Sequence, residues 1–261
     1  MTIRALVLLL VLVAGVTATL LAAPFAQSPD YPQFADQGIT LQLPHGMDVL
    51  SNLAFLLAGI SGWIRLRRVA LMDHRLQNWV RGYAISLIAI ALGSAFYHLE
   101  PGNDTLVWDR LPMVVTFSLF FSLILASHLS IVLAQKLLPV LLLSGVGSTL
   151  YWYQTELSGA GDLRFYAAFQ FLGLGMVVLI LLMFPARHLS KSMLVLTVAW
   201  YVLAKLLELL DRDIYAATEL ISGHTLKHLA SALGAWCVIL SAPLRCASVH
   251  PPAFPECGTA Q

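Results

Sequence analysis

Charge is scarce in this sequence. Only 11% of its 261 residues are Asp, Glu, Lys or Arg, against roughly 25% in an ordinary soluble domain, and this excludes a chain whose main solvent is water. The basic residues are scattered and the net charge is +1, so there is no basic face for a phosphate backbone and nucleic acid is excluded as a partner. Cysteine is scarce too. Cys237, Cys246 and Cys257 form no Cys-x-x-Cys pair and have no histidine at zinc-finger spacing. They read as one apolar filler and two tail thiols. No internal repeat stands out.

Apolar residues make up 59% of the chain, and the mean hydropathy is +0.80. A membrane helix needs about 20 mostly apolar residues. Such runs fall near 5 to 23, 47 to 64, 80 to 98, 107 to 128, 136 to 153, 164 to 185, 192 to 210 and 222 to 243. The expected fold is therefore an all-α integral membrane protein, a bundle of seven transmembrane helices with an additional N-terminal hydrophobic segment. That segment, 1 to 26, follows Arg4 and ends in small residues before Gln27, which fits either a signal peptide or an extra helix. A polar non-cytoplasmic stretch spans 27 to 46, the membrane domain 47 to 243, and a Pro-rich, disordered cytoplasmic tail 244 to 261.

Short cytoplasmic loops carry an excess of Lys and Arg, and one alternation accommodates nearly all of them here. Arg65, Arg67, Arg75, Arg81, Lys136, Arg187 and Lys191 fall on one side, whereas Asp36, Asp48, Glu100, Asp104, Glu156 and Asp211 fall on the other. With the basic side cytoplasmic, the seven-helix bundle starts outside and ends inside.

Ionisable residues at membrane depth cost several kcal/mol unless paired, metal-bound or facing a polar cavity, and here they gather at one level. His98 ends the third run, Asp109 begins the fourth after a tight turn, and His224 and His228 lie in the first two turns of the last. In Ser94-x-x-x-His98 and His224-x-x-x-His228 the outer residues are one helical turn apart and project from one face. Two histidines at that spacing and a third from another helix make a three-imidazole site with an open fourth position. Such a site lets zinc carry a water and lower its pKa to roughly 7. Asp109 is placed to orient that water or accept its proton, and Ser94 to donate to a substrate carbonyl.

Taken singly these features are ordinary. A lone His-x-x-x-His pair is usually structural, Ser94 a packing hydroxyl, and Asp109 with Arg110 an interfacial ion pair. Convergence of three segments at one depth favours the metal. Lys205, Glu208, Asp211 and Lys227 read first as intramembrane ion pairing, Lys205 with Glu208, and second as support for the metal site. Asn52 is expected to bond a neighbouring helix. Trp108, Tyr97, Trp152 and Tyr153 are expected in an interfacial aromatic belt, or else as the wall of a substrate cleft.

At these residues the sequence resembles the alkaline ceramidase family, within a superfamily of seven-helix membrane proteins that includes the adiponectin receptors. The resemblance runs from Ser51-Asn52 through Ser94-x-x-x-His98 and Thr105-Leu-Val-Trp-Asp-Arg-Leu-Pro112 to Ser222-Gly-His-Thr-Leu-Lys-His-Leu229. It implies zinc on His98, His224 and His228, Asp109 bound to the zinc water, Ser94 beside them, and cleavage of the ceramide amide to a sphingoid base and a fatty acid. There is one departure. Animal members hold calcium in an acid-rich segment before the first bundle helix, where this chain has only Asp30, Asp36 and Asp48, with His45 at the position expected for glutamate. A hard cation wants six or more oxygens, so calcium dependence is in doubt. The expected activity is zinc-dependent lipid amide hydrolysis. The competing class is a receptor-like or scaffolding protein with a structural zinc, and a transporter ranks third for want of broken helices or an inverted repeat.

Overall fold

Each apolar run becomes a helix, because a segment without water to satisfy its backbone must bond its own N–H and C=O groups. The computed structural model describes residues 2–67 and 73–243. Helices α1 (Ile3–Leu21), α3 (Leu53–Arg67), α4 (His74–Leu99), α5 (Asn103–His128), α6 (Ile131–Leu157), α7 (Arg164–Met183), α8 (Lys191–Leu209) and α10 (Gly223–Ser241) correspond to the eight runs. Short α2 (Gly46–Ser51) leads into α3, and α9 (Asp211–Thr218) joins α8 to α10. Within 27 to 46 the chain makes one small antiparallel hairpin, β1 (Ile39–Thr40) with β2 (Leu43–Pro44). The tail cysteines and residues 244 to 261 lie outside the described residues.

Among the described residues seven segments are long and apolar enough to cross a membrane: α1, the α2–α3 unit Gly46–Arg67, and α4 to α8. The chain is thus a multi-pass membrane protein with an all-α helical bundle. The run 222 to 243 folds as α10, which is not among these seven. Its first two turns carry His224, Lys227 and His228, polar groups that lower its hydropathy.

Helix α10 packs on α8 and α3, α3 on α4, α4 on α5, α5 on α6, and α1 against α7. Leu66, Val80, Leu87, Leu123, Ile124 and Ile239 fill the main core. Leu57, Leu92, Leu143 and Leu182 remain exposed on the outer faces, as surfaces facing acyl chains require. A second cluster, Phe34, Tyr97, Leu106, Val107 and Trp152, sits where α4 and α6 end and α5 begins. Tyr97 and Trp152 are therefore buried and are not part of an interfacial belt, whereas Trp108 is exposed as a belt residue would be. Cys237 is a buried free thiol, as an apolar filler would be.

Candidate metal centre

Two close helix crossings bring the site together. A β-carbon on Gly93 would collide with the Trp108 carbonyl, and one on Gly223 with the Leu207 carbonyl. Glycine at these positions lets α5 lie against α4 and α10 against α8 at close range. The N-terminus of α10 is pinned from two sides. Ser222 caps it by accepting from Thr225 N at 2.9 Å, and buried Asp48 Oδ1 accepts from Thr225 Oγ1 at 2.6 Å and Ser222 Oγ at 3.0 Å. Asp211 accepts from His224 N at 2.7 Å and from Ala35 N at 2.9 Å, tying the polar N-terminal segment to the same turn.

The three predicted histidines meet. His98, His224 and His228 are all buried, and their ligand atoms lie within 4.8 Å of one another. His98 Nε2 and His224 Nε2 are 3.3 Å apart. Two nitrogens bound tetrahedrally at 2.0–2.1 Å from one zinc ion stand about 3.3 Å apart, so this edge already has a metal-site length. The tautomers agree with it. Ser51 has one proton and gives it to the Asp48 carbonyl at 2.8 Å, so its oxygen accepts from His228 Nδ1 at 2.7 Å and the His228 lone pair is left on Nε2. Lys227 Nζ, which can only donate, contacts His224 Nε2 at 3.1 Å, so that nitrogen carries a lone pair, and a metal ion would take the place of the lysine contact. His98 Nδ1 is buried without a protein partner among the described residues. The residues thus fit a metal ion whose identity is open, since imidazole suits several transition ions.

Among the described residues this is the one group of three or more His, Cys, Asp or Glu side chains close enough to share an ion. The acidic residues considered for calcium bond within the protein, though Asp48 Oδ2 is buried without a partner among the described residues. Asp36 accepts from the backbone of Gly38, Met47 and Asp48, Asp48 holds Ser222 and Thr225, and Asp30 bonds Gln33.

Ser94 is buried one turn before His98, and Asp109 lies close enough to interact with it. Both line a cavity of about 340 Å³ together with His228, Lys227, Lys205 and Glu208. These polar groups occupy one end. Tyr83, Leu87, Phe120, Phe121 and Val198 line much of the remainder, with Thr116, Gln170, Thr197 and Tyr201 among them, and from Ser94 to Tyr83 α4 rises about 16 Å.

Glu208 joins two lysines, accepting from Lys205 Nζ at 2.7 Å and Lys227 Nζ at 3.0 Å. The expected pair exists, with Lys227 as an additional member whose position between two histidines was its only signal in the sequence. Asn52 does not bridge helices: its Nδ2 bonds the Asp48 carbonyl at 2.9 Å, four residues back. Asp109 and Arg110 do not form the interfacial ion pair either. Arg110 turns away among aromatic rings, with its guanidinium carbon 4.0 Å from the Trp152 ring centre and 4.5 Å from that of Tyr166. Phe34 gave no signal in the sequence, yet its ring packs 4.3 Å from His224 and 4.7 Å from His98, covering both.

Compared with models of known protein families, with curated proteins and with solved structures, the chain matches none.

Proposed function

We propose that this protein is a zinc-dependent intramembrane hydrolase of lipid amides, of the alkaline ceramidase kind, with its site near the non-cytoplasmic face. The observation that carries the reading is the meeting of three buried imidazoles, one of which lines a largely apolar cavity together with Asp109 and Ser94. Such a cavity suits a substrate with a polar head and a long chain. The distribution of basic residues supports the sidedness.

His98, His224 and His228 would hold the ion. When bound, zinc in an open three-imidazole site supplies a hydrolytic nucleophile at neutral pH and polarises a carbonyl. The remaining work falls to the chain. Asp109 is the general base, and the neighbouring Ser94 can give its one proton to the carboxylate before the reaction. Once an Asp109 oxygen takes up a proton it can donate to Ser94 Oγ, which turns the Ser94 hydroxyl outward to donate to the carbonyl oxygen as negative charge builds there. Asp109 then returns its proton to the departing amine.

The test compares variants of the purified full-length protein on ceramides of several chain lengths, with zinc content measured alongside. His224→Ala is expected to lose both zinc and turnover. Asp109→Asn is expected to keep zinc and lose at least about 100-fold in rate, the scale of general-base catalysis. Full activity in His224→Ala ends the proposal. Zinc retained without release of a sphingoid base or amine from any lipid amide turns the reading to a receptor-like or scaffolding protein with a structural ion.

A further inference from the structure

The cavity that reaches the histidines carries more positive than negative charge. Arg110, Lys205 and Lys227 face it against only Asp109 and Glu208, and a metal ion adds to the excess. Glu208 engages both lysines, which leaves Arg110 as the cation without a carboxylate. It is 5% exposed. Among the described residues no acid forms an ion pair with it: nearby Glu156 bonds Gln27 N at 2.6 Å and Trp152 Nε1 at 3.1 Å instead. Arg110 Nη2 donates to the Gln27 side chain, while Nη1 is buried with no partner. Trp152, Tyr166 and Tyr31 surround the guanidinium and hold its plane in place.

A buried guanidinium without a counter-ion is costly, and rings around it offset only part of that cost. A purely structural clamp between α5 and α7 would need no buried nitrogen left unsatisfied. The guanidinium fork matches carboxylate and phosphate oxygens. Arg110 and Asp109 line the same cavity, so an anion bound at Arg110 shares that cavity with the reacting group.

We propose that Arg110 receives an anionic group, a carboxylate or phosphate, carried by the amphiphile that fills the cavity, and that the preferred substrates are lipid amides bearing such a group rather than neutral ones. The inference rests on the lipid-amide reading for the word substrate, but the binding site it assigns can be measured without turnover.

The experiment uses full-length protein in nanodiscs, stripped of metal by a chelator so that no ion can take the anion. Binding is measured for two matched pairs, N-palmitoylglycine with N-palmitoylethanolamine and ceramide 1-phosphate with ceramide, and for palmitate. The anionic member of at least one pair is expected to bind about tenfold tighter or better, and the pair that responds tells carboxylate from phosphate. Arg110→Gln should abolish the preference while leaving affinity for the neutral member and zinc uptake unchanged, and Arg110→Lys should keep part of it. Equal binding within both pairs of the wild-type protein overturns the proposal, whether or not the glutamine variant folds. A preference that survives Arg110→Gln overturns it as well. Palmitate binding far more tightly than N-palmitoylglycine assigns the anion to product and overturns the substrate preference. Loss of hydrolysis with the preference intact counts against the enzymatic reading alone.

Discussion

Ser51 Oγ lies 2.7 Å from His228 Nδ1 and joins the start of the first bundle helix to the last. Because the Ser51 proton goes to the Asp48 carbonyl, the hydroxyl fixes both the tautomer and the ring plane of His228. Partners of this kind set metal affinity: removing one typically costs about 10- to 100-fold. Ser51→Ala is expected to weaken zinc binding by that factor, read by competition with a chelator of known affinity. An unchanged affinity would show that His228 is oriented by packing alone.

Gly93 controls a different relationship, the distance between Ser94 and Asp109. A methyl group at position 93 meets the Trp108 carbonyl, and Pro112 Cγ lies 3.3 Å from where it would sit, so α5 must move off α4. Overpacking of this sort costs about 1–3 kcal/mol, and misplacing a reacting group by about 1 Å costs up to roughly 100-fold in rate. Gly93→Ala should retain zinc, because all three histidines lie on α4 and α10, yet lose turnover on the order of 10- to 100-fold. Normal turnover with normal zinc content would show that the α4–α5 crossing tolerates the methyl group.

The difference between those two sites is also the difference between what can and cannot be read from the residues. Runs ended by turn residues place helices closely, as 164 to 185 and 192 to 210 do for Arg164–Met183 and Lys191–Leu209, because membrane thickness fixes helix length. Ligand pairs one turn apart carry their geometry in their spacing, and so the histidines were legible. Direction around a helix is not written in an aperiodic apolar run. Tyr97 and Trp152 have the composition of belt residues but face inward. Asn52, at the end of α2, finds its partner in that helix, four residues back. Helix α9 is short and polar, and the segment from 27 to 46 has no period at all. Its contribution to the site, Phe34 and the Ala35 amide, depends on contacts with α4, α10 and Asp211 that only the folded chain brings near.

The loop between α6 and α7 gives a prediction in pH. Asp162 is nearly buried and paired with Arg164 at 2.8 Å. The Arg164 guanidinium holds its carboxyl below the usual carboxylate value, and Tyr151 adds a hydrogen bond at 3.2 Å. A lowered folded-state pKa contributes stability that is present above the ordinary value of about 3.9 and is lost as pH falls through the lowered one. The gap in thermal unfolding midpoint between wild type and Asp162→Asn should therefore be constant above about pH 5 and close as the medium becomes more acid than about pH 4. A gap of constant size across that range would show that the amide substitution acts through packing rather than charge.

Phe34 is the place where the polar N-terminal segment meets the histidines. Its ring is buried against His98 and His224, so it both fills volume and keeps water from two of the three ligand rings. Truncating a buried phenylalanine costs about 3–5 kcal/mol, and at this position the cavity would open directly beside the ligands. Phe34→Ala is expected to lower the unfolding free energy by about that amount and to speed zinc loss to a chelator, whereas Phe34→Leu should restore most of the stability and slow the loss again. The measurement is the rate of metal release at a fixed temperature below both unfolding transitions, which separates local uncovering of the site from global unfolding. If the two variants release zinc at the wild-type rate, the route to the metal runs through the cavity lined by Asp109 and Lys227 and Phe34 serves only to pack the segment onto the bundle.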